Sequence, residues 1–245
     1  MKKSILFVAL CCIAMFFVAC EKDGPQDNKQ EDSVDNNRTT IDGVTVSGTI
    51  AGHDYVDLGL GVKWATYNIG ATKPEGYGDY YAWGDTATQT TYNWSNYKYA
   101  NGCYDALTKY CNDSKYGKDD FTDTLTTLEV ADDAATQIWG GNWRMPTDDE
   151  WQELVDSCTW TWITQNGVNG FEVKATNGRS IFLPAAGCRD DVDLYGVGSN
   201  GRYWSSSLHT YYPYGARAMF FSSSDHGMVG SYRNYGTPVR AVVAE

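Results

Sequence analysis

Trp143-Arg144-Met145-Pro146-Thr147-Asp148-Asp149-Glu150-Trp151, continuing through Gln152-Glu153-Leu154-Val155-Asp156-Ser157-Cys158, is the clearest helix start in the chain. Pro146 cannot sit inside a helix and Thr147 can cap one. Glu150, three residues further on, completes a capping box, with acids in the positively polarised first turn. Trp151, Leu154, Val155 and Cys158 then recur at i, i+3, i+4 and i+7 and form one apolar face. That face needs a cover, and the chain around it reads mainly as short strands.

Upstream, Thr126-Thr127-Leu128-Glu129 offers a second capping box ahead of Val130, Ala131, Ala134, Ala135 and Ile138, and Gly140-Gly141 ends that helix. Residues 86–124 are polar, Tyr-rich and without a sustained period, so they read as one long loop region with a helical turn near 106–110. Strands are expected at 44–50, 53–60 and 61–65, with 76–85 a strand entering a loop. Beyond the second helix, 170–175 and 179–183 flank Asn177-Gly178, the strongest short hairpin signal. Further strands are expected at 203–207, 216–221, 227–232 and 238–243. Strands, two central helices and more strands define an α+β domain whose helices pack on mostly antiparallel sheets.

With 245 residues, 42% hydrophobic and 20% charged, the chain suits one globular domain plus a tail. Lys2 and Lys3 precede an apolar run at 5–19 that is short for a membrane span and has the order of a secretory signal. Phe17-Val18-Ala19-Cys20 resembles a bacterial lipobox, with Phe17 where Leu is usual; a plain signal peptide is the alternative. The expected organisation is a lipoprotein signal at 1–19, a flexible acidic tether at 20–42 with lipid on Cys20, and a globular domain at 43–245. Lys22-Asp23 after that Cys resembles the surface-export signal of Bacteroidetes lipoproteins, which implies an outer-membrane protein facing the exterior. Asp32-Ser33-Val34 is similar to an O-glycosylation sequon of the same bacteria.

The net charge of −12 becomes more acidic once Lys2 and Lys3 leave with the signal. Such a chain repels nucleic acid, and the same charge keeps a surface protein soluble. Outside the signal and Cys20, four cysteines remain: Cys103, Cys111, Cys158 and Cys188. Their even number permits two disulfides in any of three connectivities, while Cys158, on the apolar helix face, is preferred as a buried thiol. No CxxC pair exists for zinc.

Several motifs in order carry a family resemblance: Gly52-His53-Asp54-Tyr55-Val56-Asp57-Leu58-Gly59-Leu60, Trp64-Ala65, Asn68-Ile69-Gly70-Ala71, Gly78-Asp79-Tyr80-Tyr81-Ala82-Trp83-Gly84, Trp143-Arg144-Met145-Pro146-Thr147, Phe182-Leu183-Pro184-Ala185-Ala186-Gly187, Tyr203-Trp204-Ser205-Ser206 and Val239-Arg240-Ala241-Val242. From about residue 46 to the end the chain resembles the Fibrobacter succinogenes major paralogous domain, which implies a fold similar to C-type lectins. Arg144-Met145-Pro146-Thr147 with Glu150-Trp151 is also similar to a signature of formylglycine-generating enzymes. Those enzymes hold copper on two C-terminal cysteines, and residues 189–245 contain none. The calcium-binding triplets of sugar-binding lectins are likewise missing, so the fold can be shared without either site.

Other chemistry is sparse. Gly196-Val197-Gly198-Ser199-Asn200-Gly201 fits GxGxxG, but the following Tyr203-Trp204-Ser205 reads as a strand where a helix is required, so it is read as a turn. Asp191-x-Asp193 begins like a calcium loop whose twelfth position is Arg202 where a Glu is needed, which leaves Asp190, Asp191 and Asp193 as a candidate irregular calcium site. Ser205, Ser206 or Ser207 with His209, or Asp225-His226, lack a nucleophile elbow. His53 reads as a structural hydrogen-bonder near a turn. Trp143, Arg144, Pro146, Thr147, Glu150 and Trp151 read as structural, Arg144 as an ion-pair partner for the helix acids. The binding candidates are the loop aromatics Tyr92, Trp94, Tyr97, Tyr99 and Tyr104, together with Tyr211, Tyr212 and Tyr214, because exposed Tyr and Trp offer rigid stacking surface.

The sequence thus leads to a non-catalytic, surface-exposed lipoprotein, an adhesin or ligand-binding module for a glycan or protein ligand with no cofactor. A structural or accessory subunit of an envelope assembly such as a fimbrial tip is the alternative, and a degenerate formylglycine-generating-enzyme-like protein the third reading.

Overall fold

Thr147 does cap a helix in the computed structural model of the chain, which describes Thr40 and residues 43–244. The signal segment, Cys20 and the tether apart from Thr40 lie outside the described residues. The Thr147 hydroxyl accepts from the Glu150 amide at 3.2 Å, and the Glu150 carboxylate accepts from the Thr147 amide at 2.8 Å. Arg144 clamps the same carboxylate, its two terminal nitrogens 2.7 and 2.5 Å from the two oxygens. Its backbone pairs with Val242 near the chain end, so one residue joins the helix start to the last strand.

All sheet pairing between the strands is antiparallel. β1 (Gly48–Ile50), β2 (His53–Val56) and β3 (Val62–Ala65) open a four-stranded sheet. Two helices follow, α1 (Ala134–Trp139) and α2 (Asp148–Ser157). β4 (Cys158–Gln165), β5 (Val168–Ala175) and β6 (Ser180–Pro184) form a meander, and β7 (Cys188–Asp190) pairs with β8 (Asp193–Tyr195). β9 (Asn200–Leu208), β10 (Gly215–Ser222) and β11 (Asp225–Tyr232) form a third sheet in the order β11-β10-β9, and β12 (Val242–Ala244) returns to pair with β3. The domain is α+β, as expected, with α2 packed on β9, β10 and β11.

Buried indoles tie these layers together. The Nε1 of Trp83 donates to the Ser205 carbonyl at 2.9 Å, that of Trp204 to Tyr81 at 2.8 Å, and that of Trp143 to Ile50 at 3.0 Å. Each ring buries a large apolar body while its one polar atom satisfies a backbone carbonyl. Arg240 is fully buried and reaches Asn68, Ala65, Thr66 and Phe182, and burial lowers its pKa to about 10.

The structure corrects several expectations. α1 is shorter than its pattern: Asp133 caps it by accepting from the Thr136 amide at 2.9 Å, and Val130–Asp132 form only a 3-10 turn. Asp133 wins because its carboxylate also accepts the Met145 amide, while the backbone of the Thr126 box is held against β9 by bonds from the Leu208 amide to the Thr126 carbonyl and from the Leu128 amide to the Ser206 carbonyl. Residues 76–85 contribute one bridge, Tyr81 to Thr237, and no strand. The helical turn expected at 106–110 is absent, replaced by 3-10 turns at Ser114–Tyr116 and Lys118–Asp120. Cys158 ends α2 in extended conformation and begins β4, a strand built on Thr-Trp-Thr-Trp alternation and closed by the Asn166-Gly167 turn, whose φ angles of 49° and 83° suit a two-residue hairpin. All four cysteines are free: Cys103 is exposed, Cys111 buried, and Cys158 and Cys188 half-buried. Burial, aided by Glu153, pushes the Cys158 thiol up to about 11, which makes it a poor nucleophile.

Candidate functional site

The third sheet ends in a cluster of tyrosines. After β9, His209–Tyr214 turn back tightly: the Tyr212 amide donates to His209 Nδ1 at 3.2 Å, and the Gly215 amide donates to the Tyr212 carbonyl at 2.7 Å. Gly215 then stands opposite Tyr232 in the β10–β11 register, which brings the Tyr214 and Tyr232 rings to 5.7 Å. The long loop folds over this corner, Asn112 donating to the Thr210 carbonyl at 2.8 Å. It adds Trp94, Tyr104 and Tyr116, with ring distances of 5.0 Å for Tyr116–Tyr214, 5.6 Å for Tyr104–Tyr214 and 6.3 Å for Trp94–Tyr232. Tyr235 extends the path at 5.5 Å from Tyr232, and Tyr212 lies 5.6 Å from Tyr214.

These rings line two adjoining clefts. One, of ≈ 670 Å³, lies between Trp94, Tyr104 and Tyr116 with Asp105 and Lys115 at its rim. The other, of ≈ 510 Å³, holds Arg202, His209, Tyr212 and Tyr235. Tyr214 and Tyr232 belong to both, so the clefts share a wall and form one groove. Tyr104, Tyr212 and Tyr232 are 45%, 51% and 46% exposed, unusually open for such large rings.

Two buried charges hold the groove from behind. Arg233 stacks over Trp83 at 5.0 Å and Tyr97 at 5.2 Å, and donates to the Tyr97 hydroxyl and to the carbonyls of Lys109, Tyr110 and Pro213. It thereby joins the long loop to the β9–β10 turn. Asp132 accepts from Lys98 at 2.9 Å, Lys109 at 2.6 Å, the Tyr110 hydroxyl at 2.6 Å and the Tyr99 hydroxyl. Burial opposes its charge, but the bonds from Lys109, Tyr110, Tyr99 and Lys98 outweigh that cost and hold the carboxyl below the ordinary range.

Asp85 is perturbed in the opposite direction. Burial, with the Asp132 charge adding to it, raises its carboxyl to about 6 against the lowering effects of Gln89 and Lys98. A carboxyl raised in the folded state penalises the fold once it ionises, so stability falls as pH rises from about 4 through 6. Asp85→Asn should therefore be more stable than wild type at pH 7.5, by up to about 3 kcal/mol. Urea melts at pH 4 and 7.5 check this: the gain must vanish at pH 4, and an equal effect at both pH values would refute it.

The expected site residues separate into three groups. Trp94, Tyr104, Tyr212 and Tyr214 come together in the groove. Tyr211, 85% exposed, borders a neighbouring polar cleft with Asp148, His209 and Arg217. Tyr92, Tyr97 and Tyr99 are corrected: they are buried core residues, whose hydroxyls donate to the Tyr80 carbonyl, the Trp83 carbonyl and Asp132. Tyr116, Tyr232, Tyr235, Lys115 and Arg202 escaped the sequence reading. For Tyr232 a signal existed, since alternation in β11 turns Ser231 inward and Tyr232 outward.

The three acids of the calcium candidate lie on one hairpin. Asp190 and Asp193 face each other in the β7–β8 hairpin, while Asp191 accepts from Asn93 at 2.9 Å, and no group of three His, Cys, Asp or Glu gathers as a metal site among the described residues. Gly196–Asn200 form a turn into β9. The Ser205 hydroxyl donates to the Arg217 carbonyl at 2.9 Å, His226 stacks on Trp160 at 4.6 Å, and His53 stacks on Trp139 at 4.0 Å. Comparison with protein-family models, curated proteins and solved structures gives no match.

Proposed function

We propose that the chain is a surface lipoprotein whose C-type lectin-like domain, similar to the Fibrobacter succinogenes major paralogous domain, binds a glycan without catalysis. Lipid on Cys20 anchors it to the outer membrane, facing outward, and no cofactor takes part. The observation that carries the reading is the open groove walled by Tyr214 and Tyr232 and continued by Trp94, Tyr104 and Tyr116. Flat rings offer stacking area to sugar faces at small entropic cost, while tyrosine hydroxyls, Asp105 and Arg202 offer hydrogen bonds to sugar hydroxyls. The fold assignment draws support from the buried Trp83, Trp143 and Trp204, which lie in the resembling motifs and cross-link the layers.

A glycan array probed with the purified chain tests this. Binding should be unchanged by added calcium, and Tyr214→Ala or Tyr232→Ala should each weaken it about tenfold or more. An array without hits, or hits indifferent to both substitutions, would exclude the groove as the site. A second reading, a subunit of an envelope assembly, rests on β4 and β11, each an eight-residue sheet edge with unpaired backbone groups open to strand addition. Co-purification of envelope proteins with no glycan binding would favour it.

A further inference from the structure

We infer that the groove selects acidic glycans, chains of at least two sugar rings carrying carboxylates such as uronic acids; this rests on the glycan-binding reading above. Length comes from volume: the two clefts meet at Tyr214 and Tyr232, and their ≈ 510 and ≈ 670 Å³ give more room than one sugar ring fills.

Charge comes from an imbalance against the rest of the molecule. The chain carries −12, with 31 acids to 19 bases. Yet the groove is lined by two cations, Lys115 in one cleft and Arg202 in the other, against the single carboxylate of Asp105. Most other surface cations already have partners: Lys73, Lys98, Lys109, Arg144, Arg179 and Arg217 all sit in ion pairs. Lys115 and Arg202 have none among the described residues.

Arg202 is placed for use. Its guanidinium lies over Phe220 at 5.5 Å, and one terminal nitrogen donates to the Ser231 hydroxyl at 3.0 Å. That fixes the planar fork at the cleft and leaves further N–H donors for a carboxylate, the partner its geometry fits in bidentate fashion. Lys115 lies against Tyr116 at 5.1 Å, so a second carboxylate further along the chain meets a point charge beside a stacking ring. The acidic surface opposes approach, but its distant charges are screened within about 8–10 Å at physiological salt, so the two local cations decide. The negative field elsewhere then discourages the same ligand from binding outside the groove.

The test titrates the purified full chain with tetragalacturonate and with its fully methyl-esterified form, which keeps the rings and removes the charge. The acid form should bind about tenfold tighter or better in low salt, and the preference should shrink at 0.5 M NaCl, a roughly 4 Å screening length. Arg202→Gln and Lys115→Gln should each remove most of the preference, weakening the acid form far more than the ester. Lys115 is exposed, so its variant carries no folding risk, and a melting curve checks Arg202→Gln. If both forms bind equally and Tyr214→Ala and Tyr232→Ala weaken both, the charge inference falls and the glycan reading stands. If neither form nor any array glycan binds, or an envelope protein is captured instead, both fall.

Discussion

Replacing Arg233 with Met is expected to destabilise the domain by about 3–4 kcal/mol and to lower its Tm by roughly 10 °C. Methionine nearly matches the stem of arginine but supplies no donor. The carbonyls of Lys109, Tyr110 and Pro213 and the Tyr97 hydroxyl all lose the hydrogen bond they accept from Arg233. A buried acceptor left without its bond costs roughly 1–3 kcal/mol, so the four losses together would exceed the expected total. One term acts in the other direction: among the described residues no carboxylate pairs with Arg233, and removing a buried cation relieves its desolvation. The expected value is the difference. The effect should reach the groove as well, since Pro213 and Tyr110 belong to the two segments that carry Tyr214 and Tyr116. Urea denaturation measures the stability, and a change under about 1 kcal/mol would mean that the loops hold together without this residue.

Asp132→Ala should cost about 4 kcal/mol at pH 7, within the range for breaking a buried ion pair by removing one partner. It removes the acceptor of the Tyr99 and Tyr110 hydroxyls and one acceptor of each of two ammonium groups. The lysines contribute the smaller part. Lys98 is 42% exposed and finds water easily, and Lys109, 25% exposed, keeps Glu129 as a partner, so the two hydroxyls account for most of the loss. The sign with pH follows from the depressed carboxyl: its contribution is complete above the unfolded-state value near 4 and is lost as pH falls toward the lower folded-state value. Wild type should therefore lose stability steeply between about pH 4 and pH 2, and the Ala variant should lose less over that interval. Parallel curves for the two proteins would contradict the assignment.

The elements legible in the sequence were those set by local chemistry. Thr147 and Glu150 form the cap that their spacing announces, and Asn177-Gly178 makes its hairpin. Arg144 finds Glu150 as expected. Where a distant partner decides, local reading failed. The Thr126 box lost to Asp133, whose carboxylate bonds an amide twelve residues away. The β4 strand was hidden because Cys158 continues the helical spacing of Trp151 and Leu154 while its backbone is already extended.

The site was legible in kind and not in membership. Tyrosine is suited equally to a core and to a surface, and the choice depends on whether its hydroxyl meets an internal acceptor. Tyr97 and Tyr99 meet the Trp83 carbonyl and Asp132 and are buried, whereas Tyr104 and Tyr212 remain at the surface. Tyr116 and Tyr235 lie far from Tyr214 in sequence or behind a turn, and only the folding of the long loop and the β11 end onto one corner joins them. Lys115 and Arg202 become notable only when the ion pairs of the other cations are known.

The most direct test is calorimetric titration of an array-selected oligosaccharide into wild type and into the Tyr214→Ala/Tyr232→Ala double variant. With the shared wall of the groove removed, affinity should fall about a hundredfold while the melting temperature stays within a few degrees of wild type. An unchanged affinity in a folded double variant would contradict the account.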